Sequence, residues 1–158
     1  MYNKHMGKYK DVPKEIEDII DQLEPKEEFT YVVRLMRYNR DPIRDDFLPD
    51  FVDPESRFSR EKMSTKGGMA EKIAKQTKEP NIYCVSLHYI TTEVEFDNFY
   101  AIMERRTPYI ALGKTDVNKG EAYSDGNNHV MYFLYDYDCN NPCGDFKRIG
   151  KDEIKYGR

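Results

Sequence analysis

A chain of 158 residues with 39 % apolar and 34 % charged side chains, including thirteen tyrosines and eight phenylalanines, has surface for one hydrophobic core and no second domain. Its formal net charge of −4 gives no general attraction to nucleic acid or to an anionic membrane. No stretch has the apolar run of a secretory signal or a membrane span, and Cys84, Cys139 and Cys143 are too few and odd in number for a disulfide framework; a cytoplasmic protein is expected.

Residues 1–10 are expected to be mobile. Ile16, Ile19, Ile20 and Leu23 then recur at helical intervals behind Asp11 and Pro13, and Pro25 ends the pattern, which predicts an amphipathic helix. Phe29 to Tyr38, "FTYVVRLMRY", turns β-branched and aromatic on both alternating faces and reads as a central strand covered on both sides. Residues 39–62 carry Pro42, Pro49 and Pro54 and fit neither period, so they are read as a long, lid-like loop, although Phe47, Leu48, Phe51, Val52 and Phe58 must bury somewhere.

Met69 to Lys78 is predicted helical, with Met69 and Ile73 inward together with Ala70 and Ala74, and Pro80 closes it. Asn81 to Ile90 reads as a second strand, with Tyr83, Val85, Leu87 and Tyr89 on one side and Cys84, Ser86 and His88 on the other. Thr92 and Glu95 have capping-box spacing ahead of Phe96, Phe99, Tyr100 and Met103, which predicts a helix to about Arg105. Strands follow at Tyr109 to Leu112, Gly120 to Tyr123 and His129 to Tyr137, with an edge strand at Phe146 to Ile149. The order gives a single α+β domain over residues 1–158, with a mixed or antiparallel sheet of five to six strands and about three helices.

Charge is unevenly placed. From Asp41 to Glu55 six acidic residues stand against Arg44 alone, whereas from Arg57 to Lys78 seven Lys and Arg face only Glu61 and Glu71. Such blocks are either solvated loops that attract each other or a polar binding face. Within the basic block, "STKGGM" places Ser64, Thr65, Lys66, Gly67 and Gly68 ahead of a helix, where free amides and the helix dipole favour an anion. The residue order is not that of a Walker A loop, and a plain helix cap explains the same residues.

"DYDCNNPCGDFK", Asp136 to Lys147, sets Asp136, Asp138 and Asn140 at the spacing of a calcium loop, but the sixth position is Asn141 and the twelfth Lys147, so the turn glycine and the bidentate ligand are missing. Zinc fails on distance: Cys84 and His88, four apart on a strand, lie about 13 Å from each other. The stretch is read as a tight turn built by Asn140, Asn141, Pro142 and Gly144, and no metal is expected. Ser86 and His88 share a strand face without a visible third partner, and Cys84 reads as a small buried hydrophobe.

Arg34 lies between Val32 and Met36 on one strand face, and a guanidinium among apolar neighbours needs a negative partner, from an acidic-loop aspartate or from a ligand. Arg34, then Ser64 with Thr65, then Glu93 and Glu95 as E-x-E resemble, in that order, the arginine, serine and glutamate arrangement of ADP-ribosyltransferases. That resemblance implies that Arg34 holds the phosphates of NAD, Ser64 supports the nicotinamide end and Glu95 stabilises the ribose transition state. The leading expectation is different: no coherent catalytic set is visible, and charge segregation with abundant tyrosine suits a protein that binds a macromolecular partner, as inhibitor, immunity or accessory proteins do, without a cofactor. Nucleic acid is disfavoured as that partner, because no RNA-binding signature accompanies the tyrosines.

Overall fold

A computed structural model describes residues 7–24, 26–64, 66–106, 109–150 and 153. Seven strands, β1 (Lys26–Glu27), β2 (Val32–Met36), β3 (Val85–His88), β4 (Tyr109–Gly113), β5 (Gly120–Ser124), β6 (His129–Leu134) and β7 (Phe146–Ile149), form one sheet in the order β1-β5-β6-β3-β2-β4-β7. Every neighbouring pair is antiparallel. With the helices α1 (Lys14–Asp21), α2 (Arg57–Lys62), α3 (Met69–Gln76) and α4 (Glu93–Arg106) this is an α+β fold. The sheet is two residues of β1 wider than expected, and the helices number four rather than three.

Both faces of the sheet are covered, and β2 at its middle shows why. Val32 and Met36 point into a cluster with Val85, Leu87, Val130 and Tyr132, closed by Phe47 and Leu48. Val33, from the alternate face, meets Ile110, Ile149, Ile90 and Phe96 of α4. On that second face, but over β5 and β6, Ile16 and Ile20 of α1 cover Tyr123, Met131 and Phe133. The two helices thus share one face, each covering its own half.

Three expectations are corrected by packing. Residues 39–62 are not a lid: Arg44–Phe47 forms a 3-10 turn, Phe47 and Leu48 are buried in the core, and Arg57–Lys62 is helical with Phe58 inward. Sequence periodicity missed α2 because so short a helix turns only Phe58 inward. Asn81 to Cys84 is not strand, since Pro80 opens a 3-10 turn over Pro80–Tyr83 and β3 begins at Val85. Mobility of the first ten residues does not hold at Tyr9, which is 2 % exposed and stacks on Tyr135 at 5.7 Å between centroids; residues 1–6 lie outside the described part.

The fourth correction concerns α3. None of its residues is buried, and Ala70 and Ala74, expected inward, are exposed. Gly68 ahead of it has φ +80°, a conformation that glycine adopts without a Cβ clash. Lys72 donates to Glu61 of α2 at 2.8 Å, which ties the two short helices together.

Candidate functional site

The basic block becomes an exposed pair of helices. Arg57, Arg60, Lys62, Lys66, Lys72, Lys75 and Lys78 are all exposed, and Met63, in the turn after α2, is 81 % exposed. Only Arg57 and Lys72 have carboxylate partners among the described residues, and both share Glu61. The acidic block does not neutralise the rest. Asp46 pairs with Arg40, Asp53 and Glu55 with Arg37, and Asp45 with Arg44, which also reaches Asp138. The two blocks of opposite sign therefore do not attract each other through direct pairs: arginines 37, 40 and 44 answer the acids, and the helix pair keeps its positive charge.

The residues of the arginine, serine and glutamate reading lie apart. Arg34 points from β2 to the face covered by residues 44–53, where Nε donates to the Asp46 carbonyl at 3.0 Å and a terminal nitrogen to the Ser86 carbonyl at 2.9 Å. Its guanidinium also stands 5.9 Å from the Phe47 ring centre. Burial lowers its pKa, opposed by Asp50 and Asp53 nearby. The expected negative partner is thus a pair of main-chain oxygens, with carboxylates at longer range. Ser86 has a free carbonyl because β2 and β3 share only one registered pair, Val33 with His88.

Glu95 lies on α4 over the opposite face from the Arg34 side chain. The expected capping box forms by half: the Glu95 amide donates to Thr92 Oγ1 at 3.1 Å, but Glu95 Oε1 accepts from Thr92 Oγ1 at 3.1 Å, Thr91 Oγ1 at 2.5 Å and the Thr91 amide at 3.3 Å in place of the Thr92 amide. These bonds and one from Asn128 hold the carboxyl below its ordinary pKa. Ser64 stands between α2 and α3, where its Oγ accepts from the Lys66 amide at 3.2 Å. Ser64 is half-buried, Lys66, Gly67 and Gly68 beside it on the basic pair are exposed, and Thr65 lies outside the described residues. Arg34 and Glu95 line different clefts, and Ser64 lines neither.

A cleft of about 330 Å³ opens between the start of α4, the end of β3 and the β5–β6 hairpin, lined by Leu35, His88, Ile90, Glu95, Asn98, Phe99, Asn127 and Asn128. His88 is its centre. The ring lies 4.8 Å from Phe99 and 5.6 Å from His129 between centroids, and it makes no hydrogen bond among the described residues. Burial, with the nearby His129 and Arg34, pushes its pKa down to about 4, so the ring is neutral at pH 7. His129 Nδ1 lies 3.2 Å from Asp125 Oδ2, and Asn128 at the hairpin has φ 63°, a left-handed conformation that Asn tolerates. Sequence reading weighed His88 and His129 but missed Asn98, Asn127 and Asn128; the only signal was "SDGNNH", which marks a hairpin turn.

A second polar centre is saturated with donors, although Glu121 also lines a cleft of about 310 Å³ with Lys26, Glu28, Thr115 and Tyr135. Glu121 is 6 % exposed; its Oε1 accepts from Tyr9 Oη at 2.6 Å and Tyr123 Oη at 2.9 Å, and its Oε2 from Lys8 Nζ at 2.7 Å, Tyr135 Oη at 3.3 Å and Lys26 Nζ at 3.4 Å. Burial opposes ionisation, but the bonds from Lys8, Tyr9 and Tyr123 outweigh it and bring the pKa down to about 2. Each oxygen is occupied, so the carboxylate is a structural anchor rather than a reactive group.

Asp136 to Lys147 folds as turns. Asp136 Oδ1 accepts from the Asp138 and Cys139 amides, the Asn141 side chain accepts from the Cys143 amide, and a 3-10 turn covers Pro142–Asp145. No group of three or more His, Cys, Asp or Glu able to hold a metal ion occurs among the described residues. Cys84 is buried, which pushes its thiol up to about 12 and keeps it protonated. No helix among the described residues is long and apolar enough to cross a membrane. In comparisons with known proteins, the chain matches no family model, no curated protein and no solved structure.

Proposed function

We propose that this is a cytoplasmic protein that works by binding an acidic protein partner through the exposed α2–α3 pair, as an inhibitor or accessory protein does. The observation that carries the reading is the unbalanced charge: Arg60, Lys62, Lys66, Lys75 and Lys78 have no carboxylate partner among the described residues, while Asp45, Asp46, Asp53 and Glu55 of the neighbouring acidic block pair with arginines 37, 40 and 44. A surface with a net positive charge steers an acidic partner, and the pattern of its charges fixes the register. Met63 at the turn adds an apolar anchor of the kind found near interface centres.

A protein is favoured over nucleic acid. Glu71 and Glu79 are interspersed with the cations; a uniformly charged phosphate backbone would meet them unfavourably, whereas an acidic protein can set its own lysines or arginines opposite them. The reading assigns no cofactor. The NAD-using alternative built on Arg34, Ser64 and Glu95 has less support, because Arg34 commits its donors to main-chain carbonyls on the far side of the sheet from Glu95.

Affinity capture with quantitative mass spectrometry tests the proposal, comparing the native chain with an Arg60→Glu, Lys75→Glu, Lys78→Glu variant and with a Lys14→Glu control. The expected result is a protein retained by the native chain and the control, lost with the triple variant and released by moderate salt. Identical capture by all three chains, or capture abolished by nuclease, would overturn it.

A further inference from the structure

We infer that the cleft beside His88 binds a small organic cation, an amine or amidinium carried on an apolar ring or short chain. This inference is independent of the basic helix pair. Three features of the lining point to that chemistry.

The first is charge. Among the described residues no lysine or arginine lines the cleft, whereas Glu95 does, and Glu93 stands with it in the first turn of α4. The N-terminal end of a helix favours anions, but here Thr92 and the two glutamates already answer it. Asp125, next to His129 at the hairpin, adds a further carboxylate close by. Among the described lining residues an anionic ligand finds no cation to touch, Arg34 acting only from the other face of the sheet; a cation finds the Glu95 carboxylate.

The second is hydrogen bonding. The ring of His88 has no partner among the described residues and is neutral at pH 7, so it offers a lone pair without repelling a positive charge. The Asn98, Asn127 and Asn128 amides add polar side chains around the same space, with Asn128 bonded to Glu95. Glu95 Oε1 is held in place by Thr91 and Thr92, which leaves a carboxylate oriented before any ligand arrives.

The third is the apolar wall. Leu35, Ile90 and Phe99 contribute apolar lining, with the Phe99 ring 4.8 Å from that of His88. An aromatic face beside a carboxylate stabilises a cation that has left water, and the volume of about 330 Å³ sits at the small end of ligand clefts. Leu35 and His88 stand on strands that pair only once, so the fold keeps this space open at the point where a longer ladder would close it.

Benzylammonium is the probe, followed at pH 7 by amide and side-chain NMR shifts, against benzyl alcohol and benzoate as neutral and anionic analogues of similar size. Saturable shifts confined to His88, Phe99, Asn98, Asn127 and Asn128 are expected, with benzyl alcohol weaker by about tenfold and benzoate weaker still. Glu95→Gln keeps a side-chain oxygen that can accept from Thr91 and Thr92, so the helix start survives, and it should bring benzylammonium down to the level of benzyl alcohol. The inference is overturned if benzoate binds as well as benzylammonium, if Glu95→Gln changes nothing, or if no saturable shift occurs at these residues up to about 10 mM.

Discussion

Glu121 and His88 lie on the same face of one sheet, linked across it by the Tyr123–Met131 and Met131–Ser86 pairs, yet the chain treats them in opposite ways. Around Glu121, which also borders a cleft, five donors from separate parts of the chain converge on two oxygens and leave neither free. Around His88, α1 and α4 leave a gap, and the imidazole meets rings and an open cleft instead of donors. Both groups have a depressed pKa, for different reasons: ionised Glu121 is stabilised by its partners, and protonated His88 is disfavoured by burial. A satisfied charge fastens elements together, whereas an unsatisfied neutral ring leaves capacity for a ligand.

The sharpest way to break that contrast is Glu121→Ala. Removing the acceptor leaves the Tyr9 and Tyr123 hydroxyls only each other as partners and the ammonium of Lys8 without its closest carboxylate, which should cost about 3 kcal/mol in chemical denaturation. Glu121→Gln keeps the shape and loses the charge, and should fall between this variant and the native chain. In the native chain the contribution is present above the ordinary carboxylate pKa near 4.5 and is lost as pH falls toward about 2. Glu121→Gln should therefore flatten the stability curve in that acid window. A native-like stability for Glu121→Ala would show that the network does not fasten α1 to the sheet.

Little of this polar contrast was legible in the sequence, although most of the fold was. β2 could be read because Val32, Val33 and Met36 form a short run of β-branched and apolar residues that both sheet faces need. The Thr92 and Glu95 cap was readable because its bonds span only three residues. Arg34 announced a need for negative potential, but the source turned out to be the Asp46 and Ser86 carbonyls, and a main-chain oxygen left free by a short ladder has no signature in residue type. Glu121 draws on Lys8 and Tyr9 more than a hundred positions away, and the cleft draws on β2, β3, α4 and a hairpin. Periodicity reports which face a residue occupies; it does not report which distant side chains meet there.

The next largest effect belongs to His88. Its pKa falls from 6.5 to about 4 in the folded chain, so the unfolded chain binds the extra proton between those values and stability declines as pH drops through that window. The full shift corresponds to about 3 kcal/mol, and access to solvent from the cleft reduces it to about 2 kcal/mol. His88→Phe places a ring of similar size beside Phe99 and His129 with nothing to protonate. Urea denaturation at pH 7 and at pH 4.5 should show a smaller acid loss for this variant than for the native chain. Equal losses would mean that the ring is as well hydrated in the folded protein as in the unfolded one.

The smallest effects distinguish the donors within the Glu121 network. Tyr9 is 2 % exposed and its hydroxyl donates at 2.6 Å, whereas Tyr135 is half-buried and donates to the other oxygen at 3.3 Å. Hydrogen bonds to a charged acceptor are worth about 1.5 to 3 kcal/mol when well formed, and less when long and wet. Tyr9→Phe should therefore cost about 2 kcal/mol and Tyr135→Phe about 0.5 kcal/mol, with both rings retained so that the Tyr9–Tyr135 stacking at 5.7 Å survives. Combining the two substitutions should cost more than their sum if each hydroxyl compensates for the loss of the other, because Lys8 and Lys26 would then hold a buried carboxylate with Tyr123 alone. Strict additivity would show that the two oxygens of Glu121 act as independent acceptors, and that closure of this end of the sheet comes from ring packing instead of a shared charge.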